Sequence, residues 1–480
     1  MNVQHRSAPR CASRPTIPAR RDSPCPRARG TILVMVLVIV AFLAMVAVTA
    51  TVLSQGEWAA AAAGYRQLDA RMAAMSGIER AMVVLADPTG GPLEDVPEVF
   101  FAQPVDGSEG NPGEWFFTVY APNPDDPTVP RYGLIDEGGL ISLNGIDEET
   151  LVALPGMTTE LAEALLDWTD TDSDARTSGA EQEHYDKLNP PYTVKNGPLA
   201  TVEELLLVRG FDGAVIYGQD LNRNGLLEPN EQPVETAGDV AIEGFNRGLV
   251  SLATTATLVP DLDSEGQPRL NVNTADPQEI VTRCRELGLD TTGVFITAAR
   301  AAKLVITDPS QLLDMTIEVD DPRRPGQKRT IPSGVTTANI ETVMDKLSGG
   351  GKAVGGQEML VGRVNLNSAP LGVLCALNGL GESAARAIVD RRGSGEDLGG
   401  STAWILTQNV VSAEVFKKIA PRLTTRSCRF RVRSFGYHIR TGTFCVLEAV
   451  IDTASGTPRI VYLRDLTRLG PPLVIKAPEG

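Results

Sequence analysis

Residues 31–53 read TILVMVLVIVAFLAMVAVTATVL, 23 consecutive positions without a charged residue, a proline or a glycine. About 20 apolar residues in a helix are enough to cross the roughly 30 Å hydrocarbon core of a bilayer. The leader before this run, residues 1–30, contains seven arginines and a single acidic residue, Asp22. Excess positive charge keeps that end of a membrane segment in the cytoplasm. The sequence therefore predicts one membrane span, with the body of the chain on the opposite side.

Three interpretations of the apolar run remain open at this point: a cleaved secretory signal, an uncleaved anchor, and a segment cut on its cytoplasmic side between Gly30 and Thr31. A secretory signal has an apolar region of only about 7–15 residues, so it is the weakest of the three. No proline follows the run until Pro88. Residues 31–87 are thus predicted to form one helix, roughly 85 Å long at about 1.5 Å per residue.

The part of this helix beyond the membrane carries an apolar stripe. Its members recur at spacings of four and three positions and are Leu68, Met72, Met75, Ile78, Met82 and Leu85. Such a stripe is buried against another surface in a folded protein. That surface is either the globular part of this chain or, in addition, the similar helices of neighbouring subunits.

The chain is acidic, with 60 Asp and Glu residues against 44 Lys and Arg and a formal net charge of −16. An acidic body argues against nucleic acid and anionic lipid as partners and suits a protein that binds cations. The roughly 450 residues after the leader are enough for two or three domains. Four widely spaced cysteines in this part include no CxxC pair and leave the disulfide state open: Cys284, Cys375, Cys428 and Cys445.

Strand-like runs occur on both sides of a long middle region. These runs, rich in aromatic and β-branched residues between turn formers, are 114–120, 131–136, 429–439, 443–452 and 459–466. A small antiparallel sheet built from them requires the middle, about 141–424, to be an insertion. The predicted fold class is therefore α+β: a long N-terminal helix, a sheet built from both ends of the chain (88–140 and 425–480), and a large inserted domain that is mostly helical.

A short motif recurs three times in the middle region. Its copies are Ser142-Leu143-Asn144, Asn271-Val272-Asn273 and Asn365-Leu366-Asn367. In the first and third copies a glycine turn, at Gly156 and Gly379, follows at the same distance and precedes a second amphipathic stretch. Helix, glycine turn and helix form the helix-hairpin-helix pattern. We expect the repeated asparagine to cap the first helix or to close the preceding turn.

Two further local predictions concern the same region. Thr201 and Glu204 stand in the S/T-x-x-E relation of a capping box, which predicts a helix that ends near Gly210. The glycine-rich run 349–356 is predicted to be a flexible link. It does not match a phosphate-binding loop, because Lys346 and Ala353 stand where that motif needs Gly and Ser or Thr.

Residues 220–231 match the pattern D-x-[DN]-x-[DN]-G-x5-E at every specified position. A calcium ion needs oxygen ligands at this spacing, with a glycine at the sharp turn, here Gly225, and a bidentate Glu at the end. The predicted ligands are Asp220, Asn222, Asn224, the carbonyl of Leu226, Glu228 through water, and Glu231. The alternative is a solvated polar turn.

A second, looser acidic loop contains Asp170, Asp172 and Asp174, with Glu181 in the twelfth place and Ala175 where glycine is expected. Three carboxylates so close together repel one another unless a cation neutralises them. On spacing alone, a calcium site and a solvated acidic loop are both open. The additional candidate ligands are Asp167 and Glu183.

Several of these features together resemble a known family. Arg29-Gly30 directly before an unbroken apolar helix is similar to the prepilin-peptidase site of type IV pilins and of the pseudopilins of type II secretion. Most members carry Glu at the fifth residue after the cut, whereas Met35 stands here, as in the minor pseudopilin of type K. The split sheet, the NLN motif at 365–367, the LPG motif at 154–156, and the acidic stretches at 165–174 and 179–192 also resemble that family, general secretion pathway protein K, over about 29–470.

The resemblance implies a function in assembly. It implies cleavage between Gly30 and Thr31 by a prepilin peptidase, bound calcium, and a minor pseudopilin that caps or primes a periplasmic pseudopilus. The implied partners are other minor and major pseudopilins, the inner-membrane secretion platform and the prepilin peptidase. The implied location is the bacterial inner membrane, crossed once by residues 31–53, with the C-terminal body in the periplasm.

The alternative function is a membrane-anchored DNA-binding or DNA-uptake protein, because helix-hairpin-helix units often bind DNA. Residues 141–175 contain nine acidic residues and no Lys or Arg, which argues against the first copy, since phosphate binding depends on basic side chains. The arginines of the third copy are Arg363, Arg386, Arg391 and Arg392. No HExxH, nucleophile-elbow or phosphate-loop motif is present, so we expect no enzymatic activity.

Overall fold

The structure, a computed structural model, describes residues 29–87, 95–105, 114–123, 126, 128–228, 230–231, 247–255, 257–320, 327–354, 356–393 and 400–475. The chain divides into two compact units, Met1–Tyr65 and Arg66–Gly480. The predicted leader up to residue 28 lies outside the described residues, and Gly30 and Thr31 both lie in the first helix.

The α-helices in the described ranges are α1 Arg29–Leu85, α2 Pro97–Phe100, α3 Glu148–Ala153, α4 Thr159–Thr169, α5 Gln182–Tyr185, α6 Gly213–Tyr217, α7 Pro277–Glu286, α8 Asp290–Ala301, α9 Ile340–Lys346, α10 Leu371–Ala376, α11 Glu382–Gly393, α12 Trp404–Thr407 and α13 Ala413–Ile419. The strands are β1 Gln103–Pro104, β2 Trp115–Pro122, β3 Pro130–Arg131, β4 Ile135–Asp136, β5 Ile141–Ser142, β6 Ala253–Thr254, β7 Leu258–Pro260, β8 Leu270–Asn271, β9 Thr316–Asp320, β10 Lys328–Pro332, β11 Leu347–Ser348, β12 Lys352–Val354, β13 Gln357–Val361, β14 Val364–Asn365, β15 Leu423–Thr424, β16 Arg429–His438, β17 Phe444–Asp452 and β18 Arg459–Asp465.

The N-terminal unit consists of the first part of α1. Every side chain from Thr31 to Tyr65 is exposed. By length and composition Thr31–Leu85 could cross a membrane, since its most apolar window has a mean hydropathy of 3.2. The predicted long apolar N-terminal helix is therefore confirmed.

The largest sheet joins strands from both ends of the chain. Its order is β1-β2-β16-β17-β18, with β3 paired to β2 and β4 paired to β16. All of these pairings are antiparallel. The single strand predicted at 131–136 is wrong in detail, because Arg131 pairs with Ala121 while Ile135 pairs with Arg431, so that the run splits between two neighbours.

The C-terminal part of α1 packs on one face of this sheet. Of the predicted stripe, Ile78 is buried and Met75, Met82 and Leu85 are partly buried, whereas Leu68 and Met72 are 54% and 58% exposed. The buried face instead centres on Ile78 and on five small residues: Ala70, Ala73, Ala74, Gly77 and Ala81. Small side chains let the helix backbone lie close to the strands, and the centre of the buried face shifts accordingly.

The middle of the chain repeats one arrangement three times. Each repeat opens and closes with a two-residue strand, and the two strands pair in parallel: β5 with β6, β8 with β11, and β14 with β15. In each repeat a backbone N–H bonds to the carbonyl of the closing strand at 2.9 Å, as from Leu143 to Thr254. We call the segments 141–254, 270–348 and 364–424 the first, second and third repeats. Between its two strands each repeat carries a pair of helices joined by a glycine turn: α3 with α4, α7 with α8, and α10 with α11.

The repeated asparagine makes contacts that are far away in sequence. Asn144 exchanges two hydrogen bonds with the backbone of Leu199, at 2.8 and 3.0 Å, and donates a third to the Thr255 carbonyl at 2.7 Å. Asn273 makes the equivalent three bonds to Ile306 and Gly349. The predicted helix cap at this asparagine is therefore wrong. In the first two repeats the cap is instead the aspartate three residues later, Asp147 or Asp276.

The capping box predicted at Thr201 does not form. Val202–Leu207 is a 3-10 helix, and the Thr201 side chain makes no cap hydrogen bond. The carboxylate of Glu204 accepts instead from the Ala200 backbone N–H at 2.9 Å and pairs with Lys195 at 2.7 Å. Its other carboxylate oxygen accepts from the indole N–H of Trp168 at 3.0 Å, so both oxygens are engaged outside a capping box.

The flexible link predicted at 349–356 is also wrong, because β12 and β13 form an antiparallel hairpin there. A Cβ atom on Gly349 would overlap the carbonyl of Thr307, and Gly350 has a φ of +101°. These glycines thus serve close packing and a left-handed turn. The four cysteines outside the leader are all free thiols, which answers the question of their pairing in this structure.

Candidate metal centre

Three carboxylates converge in the loop that follows α4. Asp170 lies at the C-terminus of that helix, Asp172 lies two residues beyond it, and Glu181 precedes α5. Oxygen atoms of all three lie within 4.8 Å of one another. The sequence placed these three among the ligands of its looser acidic loop, and the structure brings them together.

Several oxygens of this cluster have no partner of their own. Both carboxylate oxygens of Glu181 and Oδ1 of Asp170 are buried and accept no hydrogen bond from any residue that the structure describes. Burial raises the pKa of Glu181, and the charges of Asp167, Asp170 and Asp172 raise it further. A buried carboxylate without hydrogen bonds is costly unless a cation is present, so the donor set fits a hard divalent ion such as calcium.

One guanidinium nitrogen of Arg176, Nη1, partly neutralises the same loop. Its guanidinium lies 2.5 Å from Asp167 and 2.7 Å from the second oxygen of Asp170. Asp167 is fully buried and also accepts the Arg176 backbone N–H. The extra ligand predicted at Asp167 is therefore already held by an arginine.

The other predicted members of this loop do not join the cluster. Asp174 is exposed, and it contributes a backbone N–H to Asp172 at 3.0 Å rather than a carboxylate. Glu183 is 87% exposed and pairs with Lys187 at 2.7 Å. Asp174 lies outside the cluster because the loop turns away after Asp172. Glu183 lies outside it because α5 directs its side chain to solvent.

Asn196 is a further residue of this carboxylate cluster, and the sequence analysis did not predict it. Its Nδ2 donates to the carbonyl of Asp172 at 2.8 Å, and its Oδ1 is buried without a hydrogen-bond partner in the described part of the chain. The residue has a φ of +43°, a left-handed conformation that asparagine tolerates. It lies 24 positions after Asp172, so no local spacing pattern could have indicated it.

The loop at 220–231 closes on itself with hydrogen bonds. The Asp220 carboxylate accepts from the backbone N–H groups of Asn224 at 3.1 Å and Gly225 at 2.8 Å, and Gly225 has a φ of +85°. The side-chain oxygen of Asn222 accepts from Asn224, and that of Asn224 from Leu226. The predicted sharp turn at Gly225 is confirmed by this geometry, while calcium binding stays a prediction.

The two glutamates of this loop lie side by side. Oxygens of Glu231 accept from the backbone N–H groups of Leu221, Asn222 and Glu228, at 2.9, 3.1 and 3.2 Å. Burial raises the pKa of Glu231, and the adjacent Glu228 raises it further. Two neighbouring carboxylates share one proton or bind one cation. The residues fit calcium, although their oxygens are better satisfied by the protein than those of the Asp170 cluster.

Arg433 connects this loop to the large sheet. Its guanidinium donates to the carbonyl of Asn224 at 2.9 Å and pairs with Glu448 at 2.8 Å, and all three groups are buried. Arg433 lies on β16 and Glu448 lies on β17, so the loop is attached to strands from the C-terminal part of the chain. No local pattern in the sequence indicates this contact.

The comparisons with known proteins bear on the first repeat. Residues 142–218 match the family described as type II secretion system (T2SS), protein K. This part of the chain is similar to the protein K family. It contains α3, α4 and the Asp170 cluster, so the resemblance drawn from the sequence is confirmed over these residues.

The relatives found by comparison cover different shares of the chain. Type II secretion system protein K from Klebsiella pneumoniae is 40% identical over 67 residues, which is 14% of this chain. The match spans 21%, about a fifth, of the length of that relative. A chain in the crystal structure of the GspK-GspI-GspJ complex of the enterotoxigenic Escherichia coli type 2 secretion system is 12% identical, with a TM-score of 0.35, over 86% of this chain and 98% of that one.

Proposed function

We propose that this protein is a minor pseudopilin of a type II secretion system that caps or primes the periplasmic pseudopilus. The observation that carries the proposal is the position of the protein K segment, 142–218, between the two parts of a sheet backed by α1. Cleavage between Gly30 and Thr31 would release the helix from its basic leader. The protein acts by assembly, and no catalytic role is assigned to it.

The helix α1 supports both a membrane and a filament role. Its apolar part, 31–53, is long enough to cross the inner membrane once, which puts the body in the periplasm. Further along, Leu68, Met72 and Val83 are 54–64% exposed while the opposite face packs on the sheet. We assign this exposed face to the helices of other minor and major pseudopilins.

The position we assign is the tip of the pseudopilus, in one copy. Met35 stands where a glutamate would neutralise the N-terminal amine of a neighbouring subunit, and a carboxylate in an apolar setting is costly unless paired. A subunit at the tip does not need that carboxylate. The large insertion between β4 and β16 would also interfere with copies stacked directly above it.

Calcium is the proposed cofactor of the insertion. Asp170, Asp172 and Glu181 would hold one ion, with the orphaned oxygen of Asn196 as a further ligand. The loop of Asp220 would hold a second. Bound calcium would supply charge neutralisation and would stabilise the loop that follows α4.

The helix pairs α3 with α4 and α10 with α11 are proposed helix-hairpin-helix units that serve packing. The DNA-binding alternative gains no support from them. In the third repeat Arg363 pairs with Asp308 at 3.1 Å, Arg386 pairs with Glu382 at 2.9 Å, and Arg392 donates to the Ala369 carbonyl at 2.6 Å. Each of these three arginines already has a protein partner, so the third repeat presents less free positive charge to a nucleic-acid backbone.

Three measurements test the proposal. Intact-mass analysis of the membrane form should give a protein that begins at Thr31. A photo-crosslinking amino acid at Met72 should form adducts with other pseudopilins, whereas the same group at Arg285, an exposed residue of α7, should not. Immunogold label should lie at one end of assembled filaments; label along the shaft, or a protein that still begins at Met1, contradicts the proposal.

A further inference from the structure

A cavity of about 540 Å³ lies between the large sheet and the insertion. Its walls carry eight arginines, a concentration of positive charge in an acidic protein: Arg131, Arg223, Arg247, Arg392, Arg431, Arg433, Arg464 and Arg468. The acidic residues of the walls are Asp95, Asp136, Glu203, Asp220 and Asp465.

Three of the arginines form the floor of this arginine cavity together with buried glutamates. Arg433 and Arg464 both contact Glu448, at 2.8 and 2.9 Å, and Arg464 also pairs with Glu203 at 2.7 Å. Arg431 lies 2.5 Å from Glu137. These pairs hold the walls in place, and their charges largely balance.

The remaining carboxylates of the arginine cavity have other partners. Asp136 accepts hydrogen bonds from Ser368, Ser427 and Asn365. Asp220 accepts from backbone N–H groups, as described above, and Asp465 pairs with Arg71 of α1 at 2.9 Å. The walls carry eight arginines against five acidic residues, and with the buried Glu137 and Glu448 included a small excess of positive charge remains.

Arg247 is the side chain that this excess affects most. It lines the cavity, and it makes no hydrogen bond or ion pair with any residue in the described ranges. Burial, together with the nearby charges of Arg433 and Arg131 and against the opposing charge of Asp220, lowers its pKa to about 10. The Arg247 guanidinium is half-buried and has Asp220 as a nearby opposite charge but no ion-pair contact in the described ranges, which points to a ligand of opposite charge in the cavity.

We propose that the arginine cavity binds a small anion with phosphate or carboxylate oxygens, and that Arg247 is its principal ligand. Guanidinium groups match both kinds of oxyanion through paired N–H donors. The volume is in the range of small-molecule pockets, about 300–1,000 Å³, so it admits inorganic phosphate or a tricarboxylate. The cavity shares Asp220 and Gly225 with the proposed calcium loop, so anion binding is tested without calcium; the inference does not depend on pseudopilus assembly.

The test uses the full chain purified in detergent, in calcium-free buffer. Potassium phosphate and potassium citrate are titrated by calorimetry against potassium chloride at equal ionic strength, which separates site binding from screening. We expect binding of phosphate, citrate or both, and a matching rise in the thermal unfolding midpoint. The anion that binds with the higher affinity shows whether the cavity prefers phosphate or carboxylate oxygens.

The decisive variant is Arg247→Gln. Its control is Arg329→Gln, which removes the same charge from an exposed arginine of β10. Arg247→Gln should weaken anion binding about tenfold or more without lowering the midpoint in chloride, because it removes a half-buried charge that has no ion-pair contact in the described ranges. Arg247→Lys should restore part of the affinity. Equal binding by wild type and Arg247→Gln, or no binding by wild type, overturns the proposal.

Discussion

Gly436 of β16 lies directly against Ala74 of α1, with no side chain between strand and helix. A Cβ atom on Gly436 would overlap the backbone nitrogen of Ala74 and the carbonyl oxygen of Ala70. On the same face Gly77 of the helix faces Ser434 of the strand. The contact between the N-terminal helix and the C-terminal strand therefore depends on small residues in both elements.

We predict that Gly436→Ala destabilises the protein, because the added methyl group has only backbone atoms to displace. Overpacking of this kind costs about 1–3 kcal/mol of unfolding free energy, or more where backbone must move. Chemical denaturation measures the change. The control is Gly213→Ala in α6, where a Cβ meets nothing within 4 Å, and which should be neutral or slightly stabilising. Equal effects of the two substitutions would contradict the close approach.

The asparagines of the three repeats should differ in importance. Asn144→Ala and Asn273→Ala each remove three hydrogen bonds that join distant segments, so at about 1 kcal/mol per bond each should lower the unfolding free energy by about 3 kcal/mol. Asn367→Ala removes one long-range bond, to the Thr425 carbonyl at 3.1 Å, and should cost about 1 kcal/mol. Denaturant titration gives the order, and a larger loss at Asn367 than at Asn144 would refute it.

Calcium should stabilise the protein through Glu181. Chelation should lower the thermal midpoint of wild type, because the orphaned carboxylate oxygens lose their cation. Glu181→Gln should lose this response and, in calcium-free buffer, should melt no lower than wild type, since it removes an uncompensated buried charge. The control is Glu183→Gln, an exposed neighbour paired with Lys187, which should keep the full response. Identical melting of wild type with calcium and with chelator would exclude the site.

The same residue predicts the pH dependence of the calcium-free protein. The pKa of Glu181 is raised above its usual value of 4.5, so the folded state holds a proton that the unfolded state releases. Stability should therefore decline as the pH rises from about 4.5 through the folded-state pKa. Comparison of wild type and Glu181→Gln by denaturation at several pH values isolates this slope; parallel profiles would show that Glu181 does not cause it.

Glu448 should be essential to the body of the protein. Its carboxylate is 3% exposed and contacts Arg433 and Arg464. Although burial raises its pKa, the charges of Arg433, Arg431 and Arg464 lower it to about 2. Its stabilisation is therefore complete above pH 4.5 and is lost as the pH falls toward 2.

We expect Glu448→Gln to lower the unfolding free energy by about 3–5 kcal/mol at neutral pH, because the arginines remain buried without a counter-charge. The matched control is Glu318→Gln, an exposed partner of Lys328, for which a surface pair predicts less than about 1 kcal/mol. Denaturation at pH 7 compares them. Similar losses in the two variants would mean that the Glu448 network contributes no more than a surface ion pair.

The sequence alone determined the features that depend on local pattern. The uncharged run at 31–53 predicts the apolar helix, because the length and polarity of a segment decide whether it can cross a bilayer. Alternation of aromatic and β-branched residues located β2, β16, β17 and β18 to within about two residues. The clustered carboxylates of Asp170 and Asp172, with Glu181 nine positions later, were also visible as a spacing.

Only the tertiary structure decided which distant groups meet. The contacts of Asn144 with Leu199 and of Asn196 with Asp172 depend on packing between segments that no local periodicity relates. The same is true of the close approach of Gly436 to the backbone of α1. The complete calcium motif at 220–231 satisfies its own oxygens with backbone N–H groups, whereas the incomplete one leaves the oxygens of Glu181 unpaired. Spacing specifies which ligands are near one another along the chain, but burial and competing hydrogen bonds determine which of them still need a cation.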